Sequence, residues 1–236
     1  MKKCLLLFIT VLLATFAFGQ IKLDKLKNKV KGLAAPSADE VAEGLKEALT
    51  NGASKGSDIV SKLDGYYKNP EITIPFPPEV SKVETRLRQI GMGAEVDKFI
   101  EALNRGAEEA AKEAKPIFVS AIRQMTIADA WAILKGEKDA ATKYLQKTTT
   151  LQLTEKFKPV VHNALEKVNA TKYYSDLVTA YNKIPLVQKV NPNLDDYATD
   201  KAIFGLFVMV AKEEKNIREN PGARTSALLK KVFSAQ

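Results

Sequence analysis

The sequence predicts an all-α protein, a single compact multi-helix domain with one short extended, proline-rich segment. Apolar residues recur at steps of three and four along most of residues 37–236, which is the period of an amphipathic helix. Helix-start signals precede several of these stretches, and the prolines within residues 69–78 exclude a helix there. We find no internal repeat, so one domain is the simplest organisation.

The first predicted helix begins at a capping box, with Ser37 at the N-cap and Glu40 three residues later. Gly52 and Gly56 are expected to break or bend this helix. The extended segment that follows, residues 69–78, contains alternating apolar residues. We expect it to form either a short β-bridge or a strap packed on the helices.

The remaining helices are predicted from apolar periodicity and from local start and stop signals. Two antiparallel helices follow residue 79, separated by a turn at 91–93, and another helix continues after Pro116. Residues 126–129 are expected to cap a helix that ends at Gly136. Further helices are predicted up to about residue 168 and over residues 172–182, 194–219 and 224–233.

Residues 202–211 form an uncharged, mostly apolar run between Lys201 and Lys212. The run is far shorter than the ~20 residues that a membrane-spanning helix needs. We therefore expect it to belong to a central helix that is buried on all sides.

Residues 1–19 have the three parts of a secretory signal peptide. Lys2 and Lys3 precede an apolar run, and Ala17 and Gly19 supply the small residues before the predicted cleavage site. The sequence therefore predicts an exported protein, with the periplasm as its compartment.

Cleavage after Gly19 would also change the composition. It removes Cys4, the single cysteine, so the mature chain would have no disulfide and no thiolate metal site. The formal net charge of +8 falls by two when Lys2 and Lys3 leave. Acidic residues are mixed with basic ones along most of the remaining chain, so we predict no nucleic-acid partner. We also predict no cofactor.

Residues 20–36 form a basic amphipathic linker before the helical domain. Leu23, Leu26, Val30 and Leu33 recur at helical spacing. The lysines between them either keep a linker solvated or contact an anionic membrane surface. The candidate membrane-surface residues are Lys22, Lys25, Lys27, Lys29 and Lys31.

Several short stretches carry a resemblance to one family. They are residues 43–49 (EGLKEAL), 69–70 (NP), 74–75 (IP), 124–130 (QMTIADA), 153–157 (LTEKF) and 220–225 (NPGART). With them, residues from about 37 to 234 resemble the bacterial family named domain of unknown function 4197. The resemblance implies an exported helical protein, and it transfers no catalytic residue.

Charged residues near the carboxyl end form the candidate ligand site. Glu214 precedes Arg218 by four residues, so the two can pair across one helical turn. This is either a surface ion pair or part of a polar cleft in which arginines hold an anionic group and glutamates orient it. The candidate ligand-binding residues are Arg218, Arg224, Glu213, Glu214 and Arg123, and Asp129, Trp131 and Tyr144 would line the same cleft if the helices fold back.

Catalytic and metal-binding signals are weak. Residues 52–56 match the G-x-S-x-G pattern of serine hydrolases, but the preceding residues are predicted to be helical rather than a strand. His162 is the single histidine, too few for a zinc site. Asp195, Asp196 and Asp200 could offer oxygens to calcium or magnesium, but a helix amino terminus explains the first two better. We predict no metal site.

The sequence thus favours a non-catalytic binding or scaffolding protein of the cell envelope, acting on an unknown envelope partner or an anionic ligand. The alternative is a hydrolase that uses paired carboxylates for acid–base chemistry on an envelope substrate. A cleft with two facing carboxylates and few basic neighbours would favour the hydrolase. A closed helical core with charge only at its surface would favour the scaffold.

Overall fold

The computed structural model describes residues 37–183, 185–186 and 188–233. The predicted signal peptide and the predicted basic linker lie outside these residues. Within the described residues the chain is helical and contains no strand, which confirms the all-α prediction. The helices are α1 (Ala38–Val60), α2 (Ser81–Gln89), α3 (Gly93–Ala110), α4 (Ala114–Arg123), α5 (Ile127–Lys135), α6 (Ala140–Glu166), α7 (Ala170–Tyr181), α8 (Leu194–Glu219) and α9 (Ala227–Phe233).

The core is built around the long helix α8. Helix α8 packs against both α1 and α6, and α3 contacts α6 and α8. Helices α4, α5 and α9 pack on α1, while α7 lies against α6 and α8. Helix α2 is more peripheral, because it packs mainly on α3 and has no fully buried side chain.

Helix α1 continues through Gly52 and Gly56, so the helix does not break at these residues. The two glycines instead face the central helix α8. A Cβ atom built on Gly56 would lie 3.2 Å from the backbone nitrogen of Val210, whereas one on Gly52 would lie 3.4 Å from the Ile217 side chain. The absence of a side chain at Gly56 therefore allows the two helix backbones to approach closely.

The proline-rich segment is a strap packed on the helices, which decides between the two predicted alternatives. Ile72, Ile74 and Phe76 are buried and point into the core. The side-chain amide of Asn104 on α3 accepts a hydrogen bond from the Ile74 N–H at 2.8 Å and donates one to the Ile74 carbonyl at 2.9 Å. One buried asparagine thus replaces the partner strand that this extended backbone lacks.

Local capping signals have their predicted effect at α5. The Asp129 N–H donates to the Thr126 hydroxyl at 3.1 Å, and the Thr126 N–H donates to the Asp129 carboxylate at 3.0 Å. This reciprocal pair is a capping box. Helix α5 then ends before Gly136, as predicted.

Helix α8 is the central helix, but its burial is incomplete. Most side chains of residues 202–211 are buried, whereas Phe204 is 61% exposed. The prediction of burial on all sides is therefore wrong for one narrow stripe. Within the described residues, no single helix is long and apolar enough to cross a membrane, and one helix pair that meets these criteria jointly, residues 93–123 with 127–135, is bent by 107°.

Candidate functional site

A wide apolar recess lies between α2, α3 and α7, at one side of the helical core. We call it the apolar groove, and its volume is about 560 Å³. Its lining is almost entirely apolar or aromatic, with a carboxylate and an ammonium group at the rim. The lining residues are Phe76, Val83, Leu87, Met92, Glu95, Val96, Lys98, Phe99, Val168, Ala170, Tyr173, Tyr174 and Leu177.

Helical spacing brings these side chains together. Val83 and Leu87 lie one turn apart on α2, and Gly91 then takes φ +88° in the turn that reverses the chain. On α3, Val96 and Phe99 share the face that looks toward α2, with Met92 just before the helix. The third wall comes from consecutive turns of α7, at Ala170, Tyr173, Tyr174 and Leu177.

The aromatic side chains differ in exposure. The rings of Phe76 and Phe99 lie 4.9 Å apart, centroid to centroid, at the base of the groove. Tyr174 is buried, and burial together with the charge of Glu79 raises the pKa of its hydroxyl to about 12. Tyr173, by contrast, is 67% exposed. The groove therefore has a packed base and a rim whose apolar surface is open to solvent.

A second recess adjoins the apolar groove, and we call it the polar groove. Its volume is about 570 Å³, and it lies between α3 and α6. Lys98 and Val168 line both recesses, so the two grooves meet at these residues. The other residues that line the polar groove are Glu101, Ala102, Arg105, Glu109, Val160, Asn163, Ala164 and Lys167.

Arg105 lies in the polar groove, and each of the three nitrogens of its guanidinium group donates a hydrogen bond to a carboxylate. It donates to Asp64 at 2.9 Å, to Glu101 at 3.3 Å and to Glu108 at 2.7 Å. Burial lowers the pKa of the Arg105 guanidinium, but the hydrogen bonds to Glu108 and Asp64 outweigh it and raise the pKa. The buried Glu108 also accepts hydrogen bonds from the backbone N–H groups of residues 66 and 67. This network holds the turn after α1 against α3.

The sequence-predicted pair of Glu214 and Arg218 forms, but it is buried. The Glu214 carboxylate accepts hydrogen bonds from the Ala141 N–H at 3.0 Å, the Thr142 N–H at 2.8 Å and the Arg218 guanidinium at 2.9 Å. Arg218 also donates to the Ile133 carbonyl at 3.0 Å. The pair therefore joins the carboxyl end of α5 to the amino end of α6. The adjoining cavity, of about 20 Å³, has room for little more than one water molecule.

The other predicted ligand residues have separate surroundings. Arg224 donates to the carbonyls of Ile217 and Arg218, at 3.1 and 2.8 Å, and lies over the Phe233 ring. Glu213 pairs with Lys55 at 2.8 Å, and Arg123 is exposed at the end of α4. These residues do not line a common cleft with the Glu214 and Arg218 pair. Anion binding by them remains a prediction.

The additional residues proposed for the same cleft lie around α5 and α6. Asp129 closes the capping box of α5, and the Trp131 ring lies under the Lys135 ammonium group at 4.8 Å. Burial and the charge of Asp129 raise the pKa of Tyr144, which places these two side chains near each other. They are not part of the Glu214 cluster of hydrogen bonds.

The structure also places the residues that gave weak catalytic and metal-binding signals in the sequence. Residues 52–56 lie inside helix α1, so the strand-to-helix turn of a serine hydrolase is absent there. His162 and Asp195 hydrogen-bond at 2.7 Å, and Asp196 pairs with Lys158 at 2.6 Å. In the part of the chain that the structure describes, no cluster of acidic, histidine or cysteine side chains could hold a metal ion.

The fold and the two grooves define an all-helical protein with an open apolar recess. Comparison with known proteins places it in a family: residues 35–234 match the family described as "Protein of unknown function (DUF4197)". The chain belongs to this family, which confirms the resemblance seen in its short motifs. No curated protein and no solved structure is significantly similar to the chain.

Sequence reasoning missed both grooves. Helical apolar spacing is shared by Val83 and Leu87 and by Val96 and Phe99, and this is also the pattern of ordinary core residues. The one available signal was the short, strongly charged helix at residues 81–89, which has few apolar residues to bury. Such a helix covers its neighbours only partly.

Proposed function

We propose that this chain is an exported, non-catalytic binding protein that holds an apolar ligand in the apolar groove. Export rests on the signal-peptide pattern of residues 1–19. Binding rests on a single observation, the apolar groove itself. Its volume of about 560 Å³ falls within the roughly 300–1,000 Å³ that is usual for small-molecule sites.

The lining of the groove supports this role. Apolar side chains left open to water are unfavourable in proportion to their area, so a ligand that covers them gains free energy. Met92, Val168 and Tyr173 are all exposed at the rim. Methionine and aromatic side chains are also common in sites that bind flexible apolar ligands.

The wall formed by α2 would allow a ligand to enter. Helix α2 has no fully buried side chain and contributes Val83 and Leu87 to the groove. Moving this helix away from α3 would expose little of the main core, so its displacement costs less free energy than displacement of a core helix. We expect α2 to become more ordered when the groove is filled.

A titration with a neutral apolar dye, such as N-phenyl-1-naphthylamine, tests the proposal. The residue 20–236 protein should bind one dye molecule saturably. Leu87→Gln should weaken binding, because Leu87 lines the groove. Leu151→Gln is the matched control, since Leu151 is 76% exposed on α6 and lies outside the groove. Binding that does not saturate, or equal loss in both variants, would overturn the proposal.

Protein from its own envelope allows a second test. Native mass spectrometry of such protein should show a mass that starts at Gln20, with an added mass of a few hundred daltons that is lost on activation. A chain that retains Met1 would contradict export. A dimer that carries no added mass would contradict a bound small-molecule ligand.

The hydrolase alternative gains no support from the apolar groove or the polar groove. Glu95 is the one carboxylate that lines the apolar groove, and both carboxylates that line the polar groove have cation partners. Acid–base catalysis by a carboxylate pair requires two of them facing a substrate. The geometry of the two grooves therefore favours binding over hydrolysis.

A further inference from the structure

We infer that the ligand is a single-chain anionic amphiphile, with its apolar chain in the apolar groove and its anionic head beside Lys98 and Lys167. This inference rests on the proposed function, because it identifies the chemical class of the ligand in the same site. A free fatty acid and an anionic lysophospholipid share this chemistry.

The junction of the two grooves is the first argument. Lys98 and Val168 line both recesses, and Lys167 precedes Val168 in the polar groove. A molecule that fills the apolar groove and continues past Val168 must therefore meet ammonium groups. An apolar recess that opens onto two ammonium groups matches a molecule with an apolar chain and an anionic end.

Charge pairing is the second argument. In the polar groove, Glu101 pairs with Arg105 and Glu109 pairs with Lys112. Arg105 is itself surrounded by three carboxylates. Lys98 and Lys167 form no ion pair with any described residue. Among the described residues, Lys98 and Lys167 are thus the cationic side chains at the junction that have no carboxylate partner.

Glu95 sets the orientation of the ligand. It lies at the rim of the apolar groove, near the turn that joins α2 to α3, and it does not line the polar groove. Glu95 lies one helical turn before Lys98, so an anionic head would be repelled on the Glu95 side of Lys98 and attracted on the polar-groove side, where Lys167 lies. The head is therefore placed toward α6 and the chain toward α2.

Isothermal titration of matched single-chain ligands tests the inference. Dodecanoate, dodecan-1-ol and a lauroyl lysophosphatidylglycerol share an apolar chain and differ in the head, and each is used below its micelle concentration. The wild-type protein should bind both anions more tightly than the alcohol. Lys98→Gln/Lys167→Gln should reduce anion affinity by about fivefold per lysine, which corresponds to a favourable, partly exposed ion pair, and should leave alcohol affinity unchanged.

Lys138→Gln/Lys215→Gln is the control, because it removes the same charge from residues that pair with Glu219, outside both grooves. Equal loss in this control would overturn the inference, since the effect would then be general attraction. Equal affinity for acid and alcohol would overturn the inference but leave the proposed function intact. Failure of all three ligands to bind would overturn both. Tighter binding of the lysophospholipid than of dodecanoate would support the inference and identify a phosphate head as the source.

Discussion

Glu214 on α8 caps the amino end of α6, because its carboxylate accepts a hydrogen bond from the Thr142 N–H with an N–O distance of 2.8 Å. The two residues are 72 positions apart in the chain. Asp139, which precedes α6 directly, makes no side-chain cap. The free N–H groups at a helix start carry a partial positive charge, which a carboxylate stabilises. Glu108 plays the corresponding role for the turn after α1. Each of these buried glutamates is neutralised by an arginine from its own helix.

This arrangement predicts a large effect of Glu214→Gln. The substitution should lower the free energy of unfolding by about 3 kcal/mol, because it leaves the buried Arg218 charge without its partner. Glu213→Gln, which affects the pair with Lys55, should cost about 1 kcal/mol or less. Urea unfolding of both variants gives the comparison. If both substitutions lower the free energy of unfolding by similar amounts, burial of the Glu214 and Arg218 pair does not add to its contribution to stability.

The glycines of α1 predict opposite effects of alanine. Gly56→Ala should destabilise the protein by about 1–2 kcal/mol, since the new methyl group meets the α8 backbone at Val210. Gly52→Ala should be neutral or should stabilise by up to about 1 kcal/mol, because its methyl group makes ordinary contacts with Ile217 Cδ1 at 3.4 Å and Glu213 Cβ at 3.6 Å and alanine favours the helix. Thermal unfolding followed by circular dichroism measures both. A stabilising Gly56→Ala would contradict the close approach of α1 and α8.

The capping box of α5 predicts a pH dependence. The hydrogen bonds from the Thr126 hydroxyl, and then from the Thr126 N–H, lower the pKa of Asp129 below its usual 3.8. A carboxyl whose pKa is lower in the folded state stabilises the protein above its unfolded pKa, and this stabilisation is lost as the pH falls through the folded value. Asp129→Asn should therefore reduce the free energy of unfolding at pH 7, by about 1 kcal/mol for a lost cap, and by less at pH 3.

Asp139→Asn is the control for this pH effect, because Asp139 stands at a helix start without capping it. Its cost should be about 0.5 kcal/mol or less at both pH values. A difference between wild type and Asp129→Asn that stays constant from pH 7 to pH 3 would argue against the capping carboxylate.

The strap predicts a link between stability and binding. Asn104→Ala should cost about 3 kcal/mol, because it leaves the buried N–H and carbonyl of Ile74 without partners. It should also weaken dye binding, since the strap carries Phe76 into the apolar groove. Both quantities are measured on the same protein, by urea unfolding and by dye titration.

Asn182 provides a matched control for Asn104, because its amide makes the same two bonds to Val190, at 2.8 and 2.9 Å. That site is only half-buried, so water can replace the lost bonds, and Asn182→Ala should cost about 1 kcal/mol. It should not change dye binding. If the Asn104→Ala protein binds dye normally, the hydrogen bonds between Asn104 and the strap are not needed for binding in the apolar groove.

The sequence by itself determined the helical class, most helix limits and the family. Helix α8 was predicted at 194–219 and spans Leu194–Glu219, and α5 begins and ends at its predicted signals. These features depend on residues within one or two turns of each other, through capping, proline and apolar period. The predicted signal peptide and the lysines at 22–31 lie outside the described residues, and they remain predictions.

Only the tertiary structure decided which apolar and charged side chains are covered. Glycine at 56 has the sequence pattern of a helix break, but it is a contact point because α8 approaches it. Glu214 and Arg218 have the spacing of a surface pair, but the α5–α6 corner folds over them and buries both. Leu87 and Phe99 have the period of core residues and yet line an open groove. The physical reason is that helical period identifies the face of a helix, whereas burial of that face depends on distant segments that local sequence does not specify.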